Sequence, residues 1–204
     1  MKSSGAVLSL KRMTIKDKGL LAAFISSLTG IISGTLIYTF FLINENPIFD
    51  VFHSFYTDFK DKTDIEAFSG IVVVILLYFF VLFISGSSFM GKYLCVSATF
   101  FKAVGIGALI SFLYSEYGLK GLEYVLLVFF PGKCILLFAA ILMTKNSFDM
   151  SNTVKNGMSE KGSIASFVKM YYVKSLLSLI IFIVSATADF LLIKIFSDLF
   201  DFFV

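Results

Sequence analysis

A helix that spans a bilayer needs roughly 20 mostly apolar residues, and five runs of this chain reach about that length: 19–43, 68–86, 93–114, 122–143 and 173–196. These runs limit the fold class to an all-α, polytopic transmembrane helical bundle. Composition agrees. Of 204 residues, 58% are apolar and 15% charged, against about a quarter charged in a soluble domain. One integral membrane domain over 1–204 is expected. The first run is too long for a cleavable signal peptide and leads into Asn44-Glu45-Asn46-Pro47, so it reads as a retained anchor.

Five crossings put the termini on opposite sides, and Lys and Arg set the orientation. With the N-terminus inside, the cytoplasmic segments hold Lys2, Lys11, Arg12, Lys16, Lys18, Lys92, Lys145, Lys155, Lys161, Lys169 and Lys174. The outer segments hold only Lys60, Lys62, Lys120 and Lys194. Glu45, Asp50, Asp58, Asp61, Asp64, Glu66 and Glu116 all fall outside. The expected topology is N-terminus cytoplasmic and C-terminus extracytoplasmic. The third run has two readings: a span from Tyr93, or a surface segment up to Phe101 followed by a short span starting at Lys102.

The outer segment 47–62 reads as an amphipathic helix. Asn46-Pro47 supplies a cap and a first-turn proline, and Phe49, Phe52, Tyr56 and Phe59 recur at helical spacing. That stripe suits docking of an extracytoplasmic partner, or simply the outer headgroups or the bundle itself. Thr63-Asp64-Ile65-Glu66 matches a capping box opening the second span. In the first span, Ala22, Ser26, Gly30 and Gly34 place small residues on one face, which lets another helix approach closely. The partner is another helix of the bundle or a second copy in a homodimer. Gly105 and Gly107 also suit helix packing. The polar stretch from Lys145 to Lys174 reads as a flexible connector that becomes an amphipathic lead-in from Ile164 to Tyr172. Its positive charge suits anionic lipid headgroups without any need for nucleic acid.

Charge inside the runs is the sharpest signal. Lys102 and Lys133 lie near mid-span and Asp189 toward the outer end of the fifth. Such groups cost at least ~2.5 kcal/mol each in hydrocarbon and normally face a partner or a water cavity. Phe130-Pro131-Gly132-Lys133 is expected to break the fourth helix at mid-membrane, as in transporter binding sites. The plain alternative is a kink with Lys133 paired to Asp189, or a lysine snorkelling from a misplaced span boundary. Enzyme chemistry finds little support. The sole histidine, His53, has no nucleophile–base setting; Asp61 and Asp64 lack a cleft; Cys95 and Cys134 lack metal-ligand spacing. No cofactor and no catalytic or metal residues are expected.

Ser85-Gly86-Ser87-Ser88 with Gly91, then Phe101-Lys102, Gly105 and Gly107, then Tyr117-Gly118-Leu119-Lys120-Gly121-Leu122 and a mid-span Phe130-Pro131-Gly132 follow one another in order. This order resembles the stage II sporulation protein M family, as do the five-span plan and Gly30 and Gly34 of the first span. The resemblance covers about two thirds of the chain. Ala103 follows Lys102 where the family pattern has Gly. The resemblance implies a non-enzymatic scaffold of the sporulation and engulfment type, which organises membrane-anchored peptidoglycan hydrolases during cell-wall remodelling. Some relatives are described as permease-like, so a transporter subunit with a mid-membrane polar site is the alternative. The implied location is the cell membrane of a Gram-positive bacterium, a source with which the Phe- and Lys-rich usage is compatible.

Overall fold

The computed structural model describes residues 4–42, 63–157 and 164–196, and no strand occurs among them. Helix α1 spans Ser4–Ile37 and ends in a π-helical turn, Tyr38–Leu42. Helices α2 (Asp64–Gly86) and α3 (Gly91–Tyr124) follow. A second π-helical turn, Val125–Phe129, leads into α4 (Phe130–Gly157), and α5 spans Ile164–Phe196. The outer segment with Phe49, Phe52, Tyr56 and Phe59, and also His53, lies outside the described residues.

Four helical stretches are long and apolar enough to cross a membrane: Lys18–Phe40, Asp64–Gly86, Gly91–Val154 and Ser166–Phe196. Their outer faces are apolar. Leu21, Ile32, Leu77, Ile84, Leu176 and Ile180 are all more than half exposed. The interior, by contrast, holds Thr99, Thr144, Ser147, Ser151, Ser178, Ser185 and Asp189, all buried. In water this arrangement would leave a large sticky exterior; in lipid it is the expected one, because helices there associate through packing and hydrogen bonds rather than apolar burial. These are the features of a membrane protein.

The stretch Gly91–Val154 has 64 residues and would extend about 96 Å if straight. It is instead folded back at Gly118, which adopts φ 58°, ψ −131°. That left-handed backbone is open to glycine and strained for a residue with a Cβ. Beyond the reversal, α3 and α4 run antiparallel. Lys92 N–H donates to Ser151 Oγ (3.1 Å), Cys95 Sγ to the Thr144 carbonyl (3.7 Å), and the Thr99 and Thr144 hydroxyls meet at 2.7 Å.

The other helix directions follow from similar pairings. Ser26 donates to the Val96 carbonyl, Thr35 to that of Gly107, and the Thr39 and Ser111 hydroxyls are 3.2 Å apart. The sequence offset stays near 70–72 residues, so α1 and α3 run parallel. Phe68 with Phe190, Phe79 with Phe182 and Phe83 with Tyr171 show α2 and α5 antiparallel. Ser185 on Gly132 and Tyr171 beside Ser147 show the same for α4 and α5. Successive arms therefore alternate in direction through the bundle.

Several local expectations are revised. Helix α3 starts at Gly91 after the tight turn Ser87–Met90 and runs without interruption through Phe101 and Lys102. The residues after Lys145, expected as a connector, continue α4 as helix to Gly157. The reason is polar packing. Ser147 Oγ donates to the Leu82 carbonyl (2.7 Å) and Ser151 Oγ to that of Ser88 (2.9 Å), while Tyr171 OH donates to Phe83 O (2.7 Å). The last four carbonyls of a helix have no intrahelical donor; Tyr171 supplies one to Phe83 in the last turn of α2, while Ser147 and Ser151 bind the carbonyls of Leu82 and Ser88 on either side of it. At its other end α2 starts as expected: the Glu66 carboxylate accepts from the Thr63 N–H (3.1 Å) and hydroxyl (2.9 Å).

Pro131 does not break its helix. Phe130 keeps helical dihedrals (φ −62°, ψ −45°) and donates its N–H to the Val125 carbonyl, five residues back. The wider π turn absorbs the ring and the missing N–H of proline within a continuous helical path.

Candidate functional site

Small residues decide how closely α1 and α3 approach. A Cβ at Gly30 would meet the Phe100 carbonyl oxygen at 2.6 Å and Ala103 Cβ at 2.7 Å. At Gly34 it would overlap the Val104 carbonyl, and at Gly107 that of Ile31. Ser26 is buried beside them and Ala22 half-buried. The small-residue face of the first span is thus turned inward onto α3. Gly105 behaves differently from the packing role expected of it: a Cβ there meets nothing within 4 Å, and the residue borders a cavity.

That cavity, about 380 Å³, lies between α2, α3, α4 and α5. It sits where two apolar clusters meet, one around Leu82, Leu136 and Phe182, the other around Ile106, Leu109 and Val128. Three charged residues border it, Lys102 from α3, Lys133 from α4 and Asp189 from α5. They are the three intramembrane charges singled out in the sequence. Lys133 Nζ is 2.5 Å from Asp189 Oδ2, with Asp189 only 4% exposed. Gly132 makes that approach possible, because a Cβ at this position would fall on the Asp189 carboxylate. Ser185 Oγ donates to the Gly132 carbonyl at 3.0 Å and fixes the same crossing of α4 and α5.

Lys102 has no carboxylate at ion-pair distance among the described residues. Its ammonium lies 5.7 Å from the centroid of the Tyr78 ring, within cation–π range. Lys133 Nζ is similarly 5.2 Å from the Phe129 ring. The Tyr78 hydroxyl reaches Thr99 (3.5 Å), which pairs with Thr144. A line of hydroxyls thus runs from beneath Lys102 to the α3–α4 contact.

Sequence reasoning identified the three charges but missed their neighbours. Tyr78 was readable in principle, as a hydroxyl-bearing ring in the middle of an otherwise apolar run. The cavity wall of Ile71, Val74, Ile75 and Leu136 carried no such mark. Among the described residues, no group of His, Cys, Asp and Glu is arranged to hold a metal ion.

Comparison with protein-family models, with curated proteins and with solved structures finds no match.

Proposed function

We propose that this chain is a five-span membrane protein, N-terminus cytoplasmic and C-terminus outside, that binds a charged or polar molecule at mid-bilayer, as a permease-like or transporter subunit does. The convergence of Lys102, Lys133 and Asp189 on one cavity carries this reading. Intramembrane ionisable groups mark substrate pathways more often than framework. About 380 Å³ also falls within the ~300–1,000 Å³ usual for ligand sites. Alternating helix directions and the excess of Lys and Arg in the segments assigned to the inner side support the orientation.

Gly105 gives the test, because a side chain there has room and faces the cavity. In a background with Cys95 and Cys134 replaced, Gly105→Cys should react with an anionic methanethiosulfonate, which modifies only hydrated thiols. Leu77→Cys, on the 61%-exposed outer face, should not. Equal rates at the two positions would rule out an aqueous site and this function.

A second reading rests on the resemblance to the stage II sporulation protein M family: a scaffold for peptidoglycan hydrolases of the cell membrane. It is supported by the structural use of the shared glycines. Gly118 forms the α3 reversal, and Gly30, Gly34 and Gly107 let α1 and α3 approach closely. Such residues maintain a bundle whatever it serves. Affinity capture of the tagged protein from sporulating cells should then enrich membrane-anchored hydrolases. Normal engulfment in a deletion strain, with no hydrolase recovered, would refute the scaffold.

A further inference from the structure

We infer that the cavity takes a single-chain amphiphilic monoanion, an acid head on an acyl tail, entering sideways from the bilayer; this rests on the mid-bilayer binding reading above. Charge sets the head. Lys133 and Asp189 neutralise each other at 2.5 Å, so two lysines and one carboxylate leave one net positive charge on the cavity, and Lys102, 5.7 Å from the Tyr78 ring, has no carboxylate at ion-pair distance among the described residues. A cation in a low-dielectric site is stabilised by one negative charge far more than by any neutral group. The remaining walls are aliphatic or aromatic, including Ile71, Ile75, Leu109 and Val128, and suit an apolar tail.

The route follows from exposure. Val74 on α2 and Phe101 on α3 border the cavity, yet are 50% and 70% exposed on the outside of the bundle. The cavity therefore has a lateral opening between α2 and α3 through which an acyl chain can enter. At about 380 Å³ it is near the small end of ligand sites, which favours one chain over a two-chain phospholipid.

The experiment uses the full chain carrying Gly105→Cys, lipid-exchanged into phosphatidylcholine nanodiscs, and follows thiol modification with added dodecanoate, dodecanol or dodecylammonium. Dodecanoate should protect the thiol; the alcohol and the ammonium should not. Adding Lys102→Gln should weaken dodecanoate protection about tenfold or more, while raising the thermal midpoint because an unpaired cation is gone. Lys92→Gln, on the same helix away from the cavity, should leave protection unchanged. Equal protection by dodecanol, or unchanged protection in Lys102→Gln, would overturn the anion assignment while a reactive Gly105→Cys kept the aqueous site intact. Protection by phosphatidylglycerol nanodiscs alone would overturn the single-chain assignment. Failure of Gly105→Cys to react without any ligand would remove the binding reading itself.

Discussion

Asp189→Asn should lower the stability of the purified protein by about 3–5 kcal/mol, the usual cost of leaving one member of a buried ion pair alone. The substitution keeps the shape that Gly132 accommodates, so the loss reports charge rather than packing. It leaves Lys133 and Lys102 facing one cavity with no carboxylate between them. Adding Lys133→Met should return most of the loss, because an uncharged pair of similar volume is often as stable as the ion pair it replaces. Thermal melting in a neutral detergent checks both. A single variant within about 0.5 kcal/mol of the parent, the range of an ordinary surface change, would mean that Asp189 is solvated and the pair contributes nothing.

The second large effect belongs to the α1–α3 seam. Gly34→Val places a Cβ on the Val104 carbonyl, and backbone cannot yield as a flexible side chain can. Overpacking of this kind costs about 1–3 kcal/mol or more. Gly105→Ala, on the neighbouring helix α3, should leave stability unchanged or raise it by up to about 1 kcal/mol, since the new methyl meets open space and alanine is the better helix former. If both variants melt like the parent, the close approach of α1 to α3 does not hold the bundle together.

That contrast shows what could be read from sequence. Gly105 and Gly107 differ by two positions and look alike in an apolar run, yet they lie on different faces of α3. One presses on Ile31 and the other borders the cavity. Only the partner helices distinguish them, and sequence does not state partners. The apolar stretches were legible because a bilayer imposes a length. The α3 reversal was legible as the Gly118–Gly121 break between two apolar runs. The three charges were legible one at a time, and Lys133 with Asp189 as a pair, whereas the approach of Lys102 depends on α3 and α4 lying antiparallel.

Residues 145–157 form helix rather than a connector because Ser147 and Ser151 pack inside the bundle, so polar composition here does not mean solvent exposure. Met143, Ser147, Met150 and Ser151 recur at helical spacing and are all buried. That periodicity was the available signal. Inside a membrane protein, small polar residues at helical spacing mark contact faces as readily as loops. The proline was misjudged for a related reason: a π turn changes local hydrogen bonding without ending the helix, and no residue type announces it.

The parallel seam between α1 and α3 has a consequence for how the protein is made. Its partners are separated by some 70 to 72 residues. At about 5–20 residues per second of synthesis, the first helix leaves the ribosome several seconds before the surface it fits. During that interval its glycine face has no native partner, and α2 alone cannot provide one. Assembly of this bundle is therefore gated by the arrival of the third arm, and membrane insertases or lipid must shelter the first until then.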